Sequence, residues 1–169
     1  MGVTLMDENN QTLPRIIEID DVLRLKQYDN KHDFALKWYQ NADTVWMLDG
    51  KKEPYDIQKL NQMYKYLDEY FELYFIEVYN GKEFQPIGDV SFSADDMPIV
   101  IGDVAYRGKG IGKKVIATLI ERAKSLGFSS LNIKEIYKYN VPSQRVFESL
   151  GFVKENETEH GFGYKLKLL

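Results

Sequence analysis

Apolar positions recur along the chain at two spacings, and the spacing that holds in each stretch predicts the element. Helical spacing organises residues 57–71, where Ile57, Leu60, Tyr64, Leu67 and Phe71 share one stripe. It returns after residue 112, where Val115, Ile116, Leu119, Ile120, Ala123 and Leu126 repeat up to Gly127, a natural C′ residue. Residues 33–40 read as a shorter helix, and a polar loop containing Pro54 separates it from the next. Strand-like stretches fill the remainder. Residues 22–26 alternate, 73–79 and 87–93 form a hairpin whose Asn80-Gly81 supplies the φ > 0 positions of a tight turn, and 97–104 continue the sheet around Ile99, Val100 and Ile101. Residues 131–137 make a further strand, a helix follows, and terminal strands are expected near 152–155 and 164–168. That order predicts an α/β fold with a mixed sheet, mostly antiparallel, and flanking helices.

Between the 97–104 strand and the helix beyond it stands Arg107-Gly108-Lys109-Gly110-Ile111-Gly112. Three glycines at alternate positions leave a row of unshielded backbone amides, and the helix start adds orphan N–H donors and the positive end of its dipole. The run therefore reads as an anion cradle suited to phosphate. Neither of the two familiar glycine loops fits. A Walker loop needs Ser or Thr after Gly-Lys and a glycine five positions before its second, where this chain has Lys114 and Arg107. A dinucleotide fingerprint needs its third glycine at Lys113.

The run does match the Arg/Gln-x-x-Gly-x-Gly/Ala signature of the Gcn5-related N-acetyltransferase (GNAT) superfamily, at Arg107, Gly110 and Gly112. A second family pattern follows in order, at Asn140, Ser143, Phe147, Gly151 and Phe152. The chain thus resembles that superfamily specifically in its second half and loosely in its first. Leu23-Arg24-Leu25, residues 38–43 and Arg145-Val146 look like the RimJ/RimL branch, whereas Ile101-Gly102-Asp103 with Tyr106 looks like aminoglycoside N-acetyltransferases. The resemblance implies the GNAT acyl-CoA N-acyltransferase fold, with a parallel pair of strands that splay apart. It also implies acetyl-CoA as co-substrate and direct acetyl transfer to a primary amine, either a small molecule such as an aminoglycoside or a protein N-terminus. A non-catalytic acyl-CoA-binding sensor or interaction module is the alternative.

Composition narrows the setting. The 169 residues suit one domain, 1–169, with residues 1–13 expected as a flexible N-terminal tail, and the hydrophobic content of 44% is ordinary for a globular protein. No apolar stretch approaches the roughly 20 residues that cross a bilayer. With Asp7, Glu8 and Asn9 near the start there is no signal-peptide pattern, so a cytoplasmic location and no membrane partner are expected. The absence of cysteine excludes disulfides, thiolate metal sites and a cysteine nucleophile. No metal is expected. A net charge of −4 disfavours a nucleic-acid partner and mildly favours cationic small substrates. A homodimer is left open.

On the resemblance, the amides of Gly108, Lys109, Gly110, Ile111 and Gly112 hold the pyrophosphate, with Arg107 part of the same signature and Lys113 or Lys114 available for the outer phosphate. A main-chain N–H within residues 100–104, Gly102 and Val104 included, serves the thioester carbonyl, and Asn140 and Ser143 meet the pantetheine arm. Pro142 suits a first helical turn. The nucleophile must be a neutral amine, yet with a pKa of ~10.4 only on the order of one in a thousand is uncharged at pH 7. A carboxylate can attract the ammonium and accept its proton. Glu135 and Asp96 are the candidates, with Asp103 third. Family members often carry a tyrosine where Phe147 stands, so Tyr137, Tyr139 or water must protonate the leaving thiolate. Plainer roles stand beside these: Asp95-Asp96 as a turn pair, Glu135 as an exposed strand residue, Arg107 as a cap on local carbonyls, Lys113-Lys114 as a solvated turn. Phe147, Phe152 and the aromatic run from Tyr64 to Phe75 read as core, and His32 and His160 as surface residues.

Overall fold

A computed structural model describes residues 14–51 and 53–169, so the expected tail at 1–13 lies outside the described residues. Strand β1 (Ile16–Glu18) and β2 (Leu23–Gln27) form a hairpin closed by Asp20, whose carboxylate accepts the amides of Val22 and Leu23. β1 has no counterpart in the sequence reading. A 3-10 turn at Asp33–Ala35 runs into α1 (Leu36–Tyr39), and α3 (Ile57–Tyr70) begins on Asp56, whose side chain accepts the amide of Lys59. Between them the expected loop holds another helix, α2 (Ala42–Asp49). Asn41 caps it by accepting the amides of Asp43 and Thr44, and Gly50 ends it in the left-handed conformation.

β3 (Glu72–Tyr79) and β4 (Phe84–Phe92) form the expected hairpin, but its turn is longer than two residues. Gly81 alone takes positive φ, while the Asn80 carboxamide oxygen accepts the amides of Lys82 and Glu83. β5 is only Ile99–Ile101, because Gly102 and Asp103 both donate their amides to Ile87 O and Asp103 then caps a 3-10 turn at Val104–Tyr106. Val104 is therefore not a strand residue. The long helix α4 (Ile111–Ser125), β6 (Ser130–Tyr137), α5 (Val141–Ser149), β7 (Val153–Glu157) and β8 (Gly161–Lys167) complete the chain.

The strands make two sheets. One is antiparallel in the order β1-β2-β3-β4-β5, and the other has the order β6-β8-β7. Period-two alternation on β3 sends Tyr74 and Ile76 to one core and Leu73 and Phe75 to the other. The first core packs α4 and α5 through Val115, Ile116, Leu119 and Phe147, joined by Leu131 and Tyr164 from the second sheet. The second core packs α1, α2 and α3 through Trp38, Val45, Leu60 and Tyr64 on the opposite face. Phe147 and Phe152 meet edge to face, with centroids 5.1 Å apart, as core residues.

β5 and β6 are edge strands of different sheets and share no ladder. Among the described residues they are stitched at one end only. Asn132 N donates to Ala94 O at 2.8 Å, Asn132 Nδ2 to the same oxygen at 3.2 Å, and Lys134 N to Asp96 Oδ1 at 3.1 Å. Beyond the stitch, Ile99–Ile101 keeps β4 on one side and an open edge on the other.

Candidate functional site

The open edge of β5 acquires its donors from the alternation of an antiparallel ladder. Ser91 N donates to Pro98 O and Gly102 N to Ile87 O at 2.8 Å, which makes Pro98, Val100 and Gly102 the positions facing β4. The amides of Ile99 and Ile101 consequently point away from β4, into the gap. This corrects the expected donor range. Val100 faces β4, the Gly102 and Asp103 amides are committed to Ile87, and Val104 lies in the exposed turn, so within the expected range of 100–104 it is Ile101 whose amide faces the gap. Gly102 has a separate reason to be glycine: a Cβ there would stand 2.2 Å from Trp38 Cγ.

Past that strand the glycine loop takes the form its composition requires. Gly108 and Gly110 sit at φ 72° and 79°, with open space where a Cβ would be, so left-handed geometry rather than crowding demands glycine there. Gly110 is the N-cap of α4, and its carbonyl accepts the amide of Lys114 at 3.2 Å. The amides of Gly108, Lys109, Gly110, Ile111, Gly112 and Lys113 find no protein acceptor among the described residues, and they gather at the positive end of a 15-residue helix. Lys114 donates to Asp20 Oδ2 at 2.9 Å, which leaves the exposed Lys113 as the lysine free to reach an outer phosphate.

Arg107 does not join this row. Its amide bonds to Val104 O, Nε donates to Ile101 O at 2.9 Å, and Nη2 donates to Thr44 Oγ1 on α2 at 2.6 Å. Burial lowers the guanidinium pKa, against the charges of Asp43 and Asp103. The plainer sequence reading, a cap on local carbonyls, describes half of what it does. Nothing in the sequence pointed to Thr44.

On the other side of the gap, Asn140 caps α5 by accepting the amide of Ser143 at 3.3 Å, and Pro142 lies in the first turn. The Asn140 carboxamide nitrogen and the half-buried Ser143 hydroxyl remain as polar groups at this helix start. Glu135 lies at a bulge in β6, and its Oε2 accepts the amide of His160 at 3.2 Å. Burial, then the charges of Glu135 and Asp49, raise the Tyr137 phenol, and Tyr139 feels burial, Tyr137 and the same two carboxylates. Tyr139 donates to Trp46 O at 2.6 Å and stacks on the Trp46 ring at 4.9 Å. Asp96, expected early on a strand, is instead in the loop at the stitched end. Burial raises its carboxyl against the pull of the Lys134 and Met97 amides. Asp103 is occupied as a turn cap.

His32 also departs from expectation. It is half-buried, bonded to the Tyr28 hydroxyl and Asn61 Oδ1, and packed on Tyr64. Deeper in that core is a group the sequence reading passed over: the fully buried Asp89 on β4, whose Oδ2 accepts the hydroxyls of Tyr39 and Tyr64. Two surface grooves, of about 330 and 450 Å³, are lined by Phe71, Phe92 and Phe128 and by Val153, Lys154 and Leu166, away from the glycine loop. Among the described residues no His/Cys/Asp/Glu group is arranged to hold a metal, and no helix is long and apolar enough to cross a membrane.

Solved structures share this architecture. A domain from Methanocaldococcus jannaschii superposes with a TM-score of 0.76 at 21% identity, over 92% of this chain and 99% of that one. The ribosomal L7/L12 alpha-N-protein acetyltransferase RimL, solved in complex with coenzyme A, gives 0.72 at 17% identity, over 90% and 98%. The microcin C7 self-immunity acetyltransferase MccE, in complex with acetyl-CoA and AMP, gives 0.70 at 18%, over 90% and 96%. In sequence, 50 residues are 50% identical to Protein SPT10 of Saccharomyces cerevisiae, a match spanning 30% of this chain and 8% of that protein. The family model for the acetyltransferase (GNAT) family matches residues 33–152, most of the chain and both sides of the gap, and the protein belongs to that family.

Proposed function

We propose that the protein is an acetyl-CoA-dependent N-acetyltransferase that passes the acetyl group directly to a primary amine. The observation that supports this most is the unsatisfied row of amides from Gly108 to Lys113, opening beside the free N–H of Ile101. A diphosphate fits the first and a carbonyl oxygen the second. Bound acetyl-CoA would supply the activated thioester. The loop amides and Lys113 would hold its phosphates, and Asn140 and Ser143 would meet its pantetheine arm. Ile101 N–H would stabilise charge developing on the carbonyl oxygen.

Glu135 would receive the proton of the incoming ammonium. It lies on β6, the strand across the gap from β5, with one carboxylate oxygen accepting the amide of His160. Tyr137, half-buried beside it, is the residue able to return a proton to a leaving thiolate, because Tyr139 is tied to Trp46 O and Phe147 has no proton to give. The raised pKa of the Tyr137 phenol keeps it protonated near neutral pH, so that it holds a proton to give.

RimL is a ribosomal L7/L12 alpha-N-protein acetyltransferase and MccE a microcin C7 self-immunity acetyltransferase, so the acceptor panel should span protein N-termini and small-molecule amines. Release of CoA from acetyl-CoA is measured against peptides with free N-termini, polyamines and aminoglycosides. Turnover with at least one class, and no acetyl group left on the protein when acetyl-CoA is given alone, is the expected result. CoA binding without turnover on any amine would instead identify a non-catalytic sensor.

A further inference from the structure

Helix α2 touches both walls of the gap. Near its start, Thr44 Oγ1 accepts Arg107 Nη2 at 2.6 Å, and Arg107 follows β5. At its end, Trp46 O accepts the Tyr139 hydroxyl at 2.6 Å, the Trp46 ring stacks on Tyr139, and a Cβ on Gly50 would lie 3.3 Å from the same hydroxyl; Tyr139 follows β6. The helix therefore spans the unstitched end of the two edge strands like a crossbar. Thr44 is 3% exposed, so its hydroxyl has the guanidinium rather than water as partner. The same guanidinium holds the carbonyl of Ile101, whose N–H faces the gap.

We propose that Arg107 is a positioning residue of the acceptor wall and not a ligand of the cofactor phosphates. It ties α2 to the strand that carries the carbonyl donor, so that Trp46 and Asp49 stand at a fixed distance from the reacting atoms. Asp49 is itself held by the Tyr55 hydroxyl at 3.2 Å, which makes the far end of the crossbar as ordered as the near end. Arginine suits this role because its planar fork reaches two oxygens at once, whereas the compact ammonium of lysine satisfies one. The inference rests on the acetyltransferase reading, since it assigns α2 to the amine side of that site.

Three variants test it: Thr44→Val, which removes the hydroxyl and keeps the shape; Thr44→Ser, which restores the hydroxyl; and Arg107→Lys. CoA affinity is measured by calorimetry, and amide exchange through residues 45–50 by mass spectrometry on the CoA complex. Michaelis constants are measured for the amine with the highest turnover in the CoA-release panel. Thr44→Val and Arg107→Lys are expected to leave CoA affinity within about twofold and to speed exchange in α2. They should raise the amine KM roughly tenfold, as one lost charge-assisted hydrogen bond implies, with kcat changed much less. Thr44→Ser should restore both. Weaker CoA binding in Arg107→Lys together with unaltered exchange and KM in Thr44→Val would overturn the proposal and return Arg107 to the phosphates. If no amine turns over, exchange and CoA affinity still decide it. A wild-type protein that binds no CoA would overturn the acetyltransferase reading first, and is told apart by failing before any variant is made.

Discussion

Glu135 and Asp96 are both carboxylates near the gap, but their surroundings assign them different work. Asp96 fastens the stitched end by accepting the Lys134 amide, while Glu135 faces Tyr137 and Tyr139 beyond it. Glu135→Gln is therefore expected to lower kcat by roughly 10²–10⁴ with little loss of stability, and the deficit should shrink at high pH, where more of the amine is already neutral. Asp96→Asn is expected to lower the melting temperature more than it lowers kcat. Full kcat/KM in both variants would leave the proton to a water chain. Asp89 carries a different expectation. Burial pushes its carboxyl from 3.8 up to about 6, against the pull of the Tyr39 and Tyr64 hydroxyls. The folded state thus holds its proton more tightly than the unfolded chain. The associated stability is complete below pH 3.8 and is lost as pH rises to about 6. Urea melts of wild type and Asp89→Asn should diverge across that window by on the order of 2–3 kcal/mol, wild type losing ground as pH rises.

At the scale of elements, the crossbar depends on its cap. Asn41 accepts two α2 amides, so Asn41→Ala is expected to cost about 1 kcal/mol in chemical denaturation and to speed amide exchange in residues 42–49 first. That helix also marks where the sequence became hard to read. α3 and α4 were legible because their apolar residues recur at helical spacing over 14 and 15 positions. α2 has eight residues, and its apolar run Val45-Trp46-Met47-Leu48 is contiguous, with Val45 buried and Trp46 and Met47 at the surface. Only Asn41 and Gly50, the cap residues, signalled it. β1 is three residues on an edge and leaves almost no pattern. The glycine loop was legible because backbone geometry alone demands its residues. Arg107's partner was not, since Thr44 lies 63 positions away and only the folded chain brings them together. The Asp89 cluster was hidden for the same reason, its tyrosines arriving from α1 and α3.

For the whole molecule, a ligand that binds only the folded state stabilises it by mass action. CoA at a hundred times its dissociation constant adds about 2.7 kcal/mol, which for a chain of this size raises Tm by roughly 5–10 °C. Gly110→Ala and Gly127→Ala make a matched pair, because both glycines sit at positive φ, 79° and 78°, with open space around the missing Cβ. Each is expected to lower Tm by the same backbone strain, about 1 kcal/mol. Only Gly110→Ala should also lose most of the CoA response in a thermal-shift titration. An equal response in both would make the loop a simple turn.

The one-ended stitch between the sheets has a mechanical consequence. Ala94, Asp96, Asn132 and Lys134 form a pivot, and at ~3.3 Å per residue Ile101 stands no more than ~17 Å from Asp96. Over that lever arm a relative rotation of about 5° at the pivot moves the far end by about 1.5 Å, half the length of a hydrogen bond. The three hydrogen bonds at one end thus set the calibre of the opening at the other. Their stiffness, together with the crossbar, fixes how far the jaw can open.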